Sequence, residues 1–201
     1  MDQQHKDKFE QIWDNGNYRQ GSTALRMVPL IMSTIPAGST INDYGCGTGR
    51  AEVELMRKSS YYINMIDIAE NAIEAEALEI LQRKDSPLKF YNADLCDLSQ
   101  VPFAEWGICI NTLMTVQADR LDVILSEIRR TCKNLIVEAY DMDDHRLVWQ
   151  MTTVKMNAAG WMDTLCQYWR IVEFIQSKEH ARRYIFVCRE PKQDEGIKNE
   201  T

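Results

Sequence analysis

The sequence predicts an α/β protein with a mostly parallel sheet covered by helices on both faces. Three observations lead there. Short apolar runs alternate with helix-like stretches from residue 41 to residue 139. Those runs are rich in apolar residues, as strands buried on both faces are. A cluster of glycines also falls where the first such run meets the first helix-like stretch.

Taken in order, residues 1–8 are polar and tail-like, and Phe9–Trp13 suggests a small helix. Ser22–Ile35 suggests a second helix, with Ser22 as N-cap and a bend or shift at Pro29. Ile41–Tyr44 reads as a strand running straight into glycines, and Arg50–Lys58 as the helix that follows. Tyr61–Ile68 is a strand. Glu70–Arg83 is then one helix, with Ile73, Ala77, Ile80 and Leu81 on a single face. Leu88–Asn92 and Gly107–Asn111 are strands. Leu121, Ile124, Leu125 and Ile128 form the next helical stripe, and Leu135–Ala139 is a fifth strand. The C-terminal part changes character. After a helical stretch, Trp161–Trp169, the runs Arg170–Gln176 and Arg183–Cys188 are joined by a short polar link, which predicts an antiparallel hairpin. The expected layout is an N-terminal helical cap segment over 1–37 that covers an open site, a domain over 38–190 and a polar tail over 191–201.

At 201 residues the chain has the size of one domain and buries roughly 70% of its unfolded surface. A net charge of −7 argues against a duplex nucleic-acid binder, which presents a basic face, and shifts the expectation toward a small-molecule or protein substrate. The six cysteines contain no C-x-x-C pair, so no zinc ribbon and no metal site is expected, and Cys109 and Cys188 lie in apolar runs as reduced core residues do. The polar N-terminus lacks the apolar stretch of a signal peptide, and no run of 18 apolar residues exists. The expected setting is the cytoplasm, with no membrane partner.

The most informative stretch is Asn42-Asp43-Tyr44-Gly45-Cys46-Gly47-Thr48-Gly49-Arg50. Glycines let a chain turn sharply and let a ligand approach the main chain, and the helix that follows offers free N–H groups. The spacing excludes the dinucleotide pattern G-x-G-x-x-G, because its third glycine would fall on Arg50 or Glu52. No P-loop pattern is present either. Further acids follow the next strands: Asp67, 18 residues after Gly49, and Asp94 in Asn92-Ala93-Asp94-Leu95. Asn111 ends the fourth run. A carboxylate near this distance suits a ribose.

The pattern G-x-G-x-G with an acid two residues before it resembles the class I S-adenosylmethionine-dependent methyltransferases. The resemblance covers roughly residues 38–140 by motif and reaches the C-terminal hairpin by order of elements. It implies a Rossmann-like seven-stranded sheet of order 3-2-1-4-5-7-6, with strand 7 antiparallel. It also implies S-adenosyl-L-methionine as cofactor, held by Asp43, Gly45, Cys46, Gly47, Gly49, Asp67, Ile68, Asp94, Leu95 and Asn111. In the family the acid after strand 3 meets the adenine amino group, the next residue packs on the ring, and the end of strand 4 lines the methionine portion. Tyr18-Arg19-Gln20-Gly21-Ser22 and Trp161 also resemble small phage-encoded methyltransferase-like proteins. Members that methylate base amino groups carry Asn or Asp, two prolines and an aromatic after strand 4, and cytosine C5 enzymes carry Pro-Cys. Here Asn111-Thr112-Leu113-Met114 has neither, so the acceptor implied is a small molecule or a nucleotide. Tyr18 and His145 are the candidates for catalytic groups. For His145 an exposed loop histidine is the competing reading, and for Trp161 core packing competes with a place beside the substrate. A cofactor-binding protein of this fold without transfer is the alternative function.

Overall fold

The computed structural model describes residues 3–14, 23–140, 153–176 and 183–193. Its centre is a seven-stranded sheet of β1 (Thr40–Tyr44), β2 (Tyr62–Asp67), β3 (Leu88–Asn92), β4 (Ala104–Ile110), β5 (Cys132–Tyr140), β6 (Trp169–Gln176) and β7 (Arg183–Pro191), in the order β3-β2-β1-β4-β5-β7-β6. The first five strands pair in parallel, and β7 runs antiparallel to β5 and β6. The expected order and the antiparallel hairpin strands are both present. The hairpin's turn lies outside the described residues.

Six helices surround the sheet among the described residues: α1 (Gln3–Asp14), α2 (Val28–Thr34), α3 (Arg50–Lys58), α4 (Ala75–Leu81), α5 (Leu121–Thr131) and α6 (Ala158–Tyr168). Strand side chains alternate between faces, so each strand feeds two cores. Ile41, Ile63, Met65, Ile108, Ile136 and Val187 pack under α2, α3 and α4. Tyr44, Ile66, Cys109, Leu135, Val137 and Phe186 pack under α5 and α6. Trp161 is fully buried in this second core, as the packing reading expects.

Three expectations need correction. The first helix is longer than Phe9–Trp13 and begins at Gln3, within the stretch read as a polar tail. The second begins as a 3-10 turn, Thr23–Met27, and becomes α-helical at Val28. Pro29 then sits in the first turn, where its missing N–H is harmless. The stretch 70–83 is not one helix. A 3-10 turn, Glu70–Ala72, is separated from α4 by extended backbone at Ile73 and Glu74. The Glu74 amide donates to the Thr48 carbonyl at 3.1 Å, and its carboxylate holds Arg50 at 2.7 Å, so the break docks this segment on the glycine turn.

Candidate cofactor site

Parallel pairing brings the ends of β1, β2, β3 and β4 to one edge of the sheet, the edge where open α/β folds bind ligands. The chain leaves β1 through the glycine turn. Gly45 and Cys46 both donate to the Ile66 carbonyl, at 2.8 and 3.1 Å, which carries the turn across the end of β2. Gly45, Gly47 and Gly49 all have positive φ. At Gly49 a Cβ would lie 2.7 Å from Met65 Cε and 2.8 Å from the Ala77 Cβ, and at Gly45 it would run into the Thr112 side chain. Both positions therefore require glycine for conformation and for space.

Asp67, at the tip of β2, binds the turn directly. Its Oδ2 accepts from the Gly47 amide at 2.8 Å and its Oδ1 from the Ala69 amide at 2.9 Å. The Ile68 amide also reaches this carboxylate, which with about four acceptor sites keeps room for a ligand hydroxyl. Burial is the main reason its carboxyl is raised from 3.8 to about 6, with the Ala69 and Gly47 amides pulling it back down. Asp43 is 2% exposed. Burial, then the neighbouring Glu52 carboxyl, then Asp67 push it well above the usual carboxylate range. Asp94 is tied from two sides: the Cys96 amide donates to Oδ1 at 3.0 Å, and Arg120 lies 3.5 Å from Oδ2. Asn92 donates to the carbonyls of Asp67 and Ile68, locking the β2 and β3 loops together.

Asn111 follows β4 with φ of 59°, a left-handed conformation that asparagine tolerates. Its amide donates to the Glu138 carbonyl at 3.1 Å. Cys46 is buried among apolar side chains, and burial together with nearby carboxylates pushes its thiol up. Leu95 belongs to the α5–α6 core, while the half-buried Ile68 packs with Phe9, Trp13, Ala69 and Ala72. The structure thus gathers Asp43, Gly45, Cys46, Gly47, Gly49, Asp67, Ile68, Asp94, Leu95 and Asn111 along one edge. Tyr18 and His145 lie outside the described residues, as does the whole stretch 141–146.

Sequence reasoning misses four neighbours of this edge. Trp13 of α1 lies over the turn, its ring 3.2 Å from where a Gly47 Cβ would sit. Asn71 fastens α1 there, donating to the Glu10 carbonyl at 3.0 Å and to Asp14 at 2.8 Å. The helical spacing of Phe9 and Trp13 was the available signal. Glu52, in the first turn of α3, is fully buried beside Asp43. Its spacing from Leu55 places it on the inward helix face, where a charge is anomalous. Glu138 of β5 is also fully buried, held by Arg26 from the turn before α2.

Residues 41–134 match a family described as a methyltransferase domain. No curated protein sequence matches the chain. Among solved structures the chain is similar to a Burkholderia thailandensis 1,6-didemethyltoxoflavin-N1-methyltransferase with bound S-adenosylhomocysteine, at TM-score 0.74 and 13% identity over 93% of this chain and 87% of that one. It is also similar to the small RNA methyltransferase HEN1, at TM-score 0.65 and 16% identity over 83% of this chain but 25% of that one. A third neighbour is the cyclase SpnF, at TM-score 0.66 and 15% identity over 84% and 81%. At these identities the likeness speaks to the fold. The glycine turn stands at the head of the matched segment, and the strand order is that of the Rossmann-like fold these neighbours share.

Proposed function

We propose that this protein binds S-adenosyl-L-methionine along the β1–β4 edge and transfers its methyl group to a small-molecule or nucleotide acceptor, which would place it in EC class 2.1.1. The observation that carries this reading is the convergence of the three-glycine turn with Asp43, Asp67 and Asp94 on one sheet edge. The donor set suits the cofactor: Asp67 keeps acceptor capacity for ribose hydroxyls, Asp94 can take the adenine amino group, and Ile68 and Leu95 offer apolar sides for the ring. Asp43 supplies negative charge beneath the cationic end, and Asn111 stands toward the methionine portion. The bound cofactor supplies an activated methyl on a sulfonium. The chain's own task is then to align acceptor, methyl and sulfur and to exclude water, so no strong acid or base is compulsory. Trp13, lying over Gly47, forms part of the wall that keeps water out and must yield as the ligand enters.

Residues 1–37 are read as the cap of this site, 38–190 as the domain and 191–201 as a tail. Among the described residues no helix is long and apolar enough to cross a membrane. The cysteines are all free, which suits a cytoplasmic setting. A binding protein without transfer is the second reading, and the likeness to a cyclase favours keeping it, since the same fold serves other chemistry. A thermal-shift comparison of S-adenosylhomocysteine with NAD tests cofactor choice. At one hundred times its dissociation constant the true ligand adds about 2.7 kcal/mol. Transfer of tritium from methyl-labelled cofactor into a nucleotide and metabolite extract supports turnover. Binding with no transfer supports the second reading, and a shift with NAD alone overturns both.

A further inference from the structure

Asp43 and Glu52 face each other in the wall beneath the glycine turn, 2% and 0% exposed. Both Glu52 oxygens are fully buried, and the groups that reach its carboxyl are Asp43 and its own main-chain amide. A carboxylate with so little to accept from is costly to bury, and two acceptors that face each other repel unless something lies between them. A single proton is the smallest thing that resolves the contact, since one carboxyl then donates to the other. The surrounding charges sharpen the need. Asp67 from β2 raises Asp43 further, and the Cys46 thiol of the turn lies near all three acids. The nearby cations are committed elsewhere: Arg50 of α3 holds Glu74, and Arg26, from the turn that packs beside α3, holds Glu138. The first turn of α3, where Glu52 sits, favours negative charge through its free amides, so the ionised form becomes accessible once a cation arrives.

We propose that Glu52 makes the cofactor site select by charge: the empty site holds one proton shared between Asp43 and Glu52, and a cationic ligand expels it. This rests on the reading that the adenosyl sulfonium binds over the turn. The methylated cofactor carries a sulfonium and an ammonium over one carboxylate, a net charge of +1, whereas its demethylated product is neutral overall. Binding the cofactor sends the proton to solvent. Loss of the methyl removes the positive sulfonium, and the pair takes a proton back. The product is thereby held less tightly than the cofactor at neutral pH, and the difference narrows on acidification.

The test is titration calorimetry of the full chain with S-adenosylmethionine and with S-adenosylhomocysteine, each in two buffers of different ionisation enthalpy. The expected result is release of close to one proton with the methylated compound and much less with the demethylated one. The affinity ratio between them should fall by up to about tenfold for each pH unit of acidification. In Glu52→Gln the amide can donate to Asp43 without a shared proton, so the difference in proton count between the two ligands should shrink. Equal proton release with both ligands in the native protein overturns the proposal while leaving the cofactor reading standing. Binding of neither ligand overturns the cofactor reading itself. The native proton count decides the matter even where the variant does not fold.

Discussion

Two parts of the sheet's carboxyl edge bury acids, and they do so differently. At the β1–β2 end, Asp43, Glu52 and Asp67 sit together beneath the glycine turn with no arginine or lysine bound to them among the described residues. At the β5–β7 end, Glu138 is equally buried, but Arg26 grips it and a second guanidinium, Arg183, lowers its carboxyl from where burial would push it. Arg183 itself stacks over Tyr140 at 4.7 Å. The compensated acid behaves as a rivet, tying the segment before α2 to β5. The uncompensated acids raise the energy of the empty protein, and the fold tolerates them where a ligand can offset them. Geometry in the second region serves stability, whereas in the first it is held at the expense of stability.

Substitutions should therefore have opposite signs at the two ends. The largest loss belongs to the scaffold that both share. Gly49→Ala combines left-handed strain with overlap against Met65 and Ala77, and should cost about 3–4 kcal/mol in urea unfolding. Next, Arg26→Ala leaves Glu138 buried without its main partner and should cost about 3 kcal/mol. Glu52→Gln in the same assay should be neutral or slightly stabilising, because the amide takes the place of the shared proton as donor to Asp43. Equal losses from Arg26→Ala and Glu52→Gln would erase the contrast.

The pH dependence of the ligand-free protein sharpens it further. Asp67 titrates near 3.8 in the unfolded chain and at about 6 when folded. Between those values the native state holds a proton that the unfolded chain has lost, so Asp67 makes stability fall as pH rises from about 4 to 6. Lowering the pH from 7 to 5 should raise the melting temperature, and the full contribution of this group is at most about 3 kcal/mol. Asp67→Asn should flatten that window. It should also weaken S-adenosylhomocysteine binding by roughly 1–3 kcal/mol, because a ribose hydroxyl loses its charged acceptor. A melting curve insensitive to pH in the native protein would mean that solvent reaches Asp67 freely.

How far the sequence was legible follows the same division. The strands and the glycine turn could be read because local chain pattern dictates them, whereas the strand order followed from the resemblance. Alternating glycines demand a turn, and acids at strand tips come to one edge once the strands are parallel. What escaped depends on contacts distant in sequence. The break at Ile73 and Glu74 exists because Glu74 docks on Thr48, and helical periodicity over 70–83 carries no trace of that. The Arg26–Glu138 pair spans 112 positions, and neither residue is unusual in its own segment. Glu52 was visible in principle as a charge on an inward helix face, but an acid in a first helical turn has an ordinary explanation in the helix dipole, which hid it. Trp13 reads as one apolar position of a short helix until α1 is placed across Gly47.

Asn111 is the residue where the two explanations, scaffold and ligand, are hardest to separate, and it gives the smallest effect. Its left-handed backbone is what a turn after β4 demands, and asparagine is chosen at such positions without any ligand. Glycine would meet the same conformational demand, so Asn111→Gly should leave stability within about 0.5–1 kcal/mol, the extra freedom of the unfolded chain opposing the relief of strain. If the side chain also lines the methionine end of the cofactor, the same variant should lose affinity for S-adenosylhomocysteine several-fold while its unfolding midpoint barely moves. Asn111→Ala supplies the converse, a loss of about 1–2 kcal/mol in stability from strain together with the lost side-chain hydrogen bond to Glu138. Matched affinities in the native protein and Asn111→Gly would assign this residue to the scaffold, and the ligand-bearing edge would then end at β3.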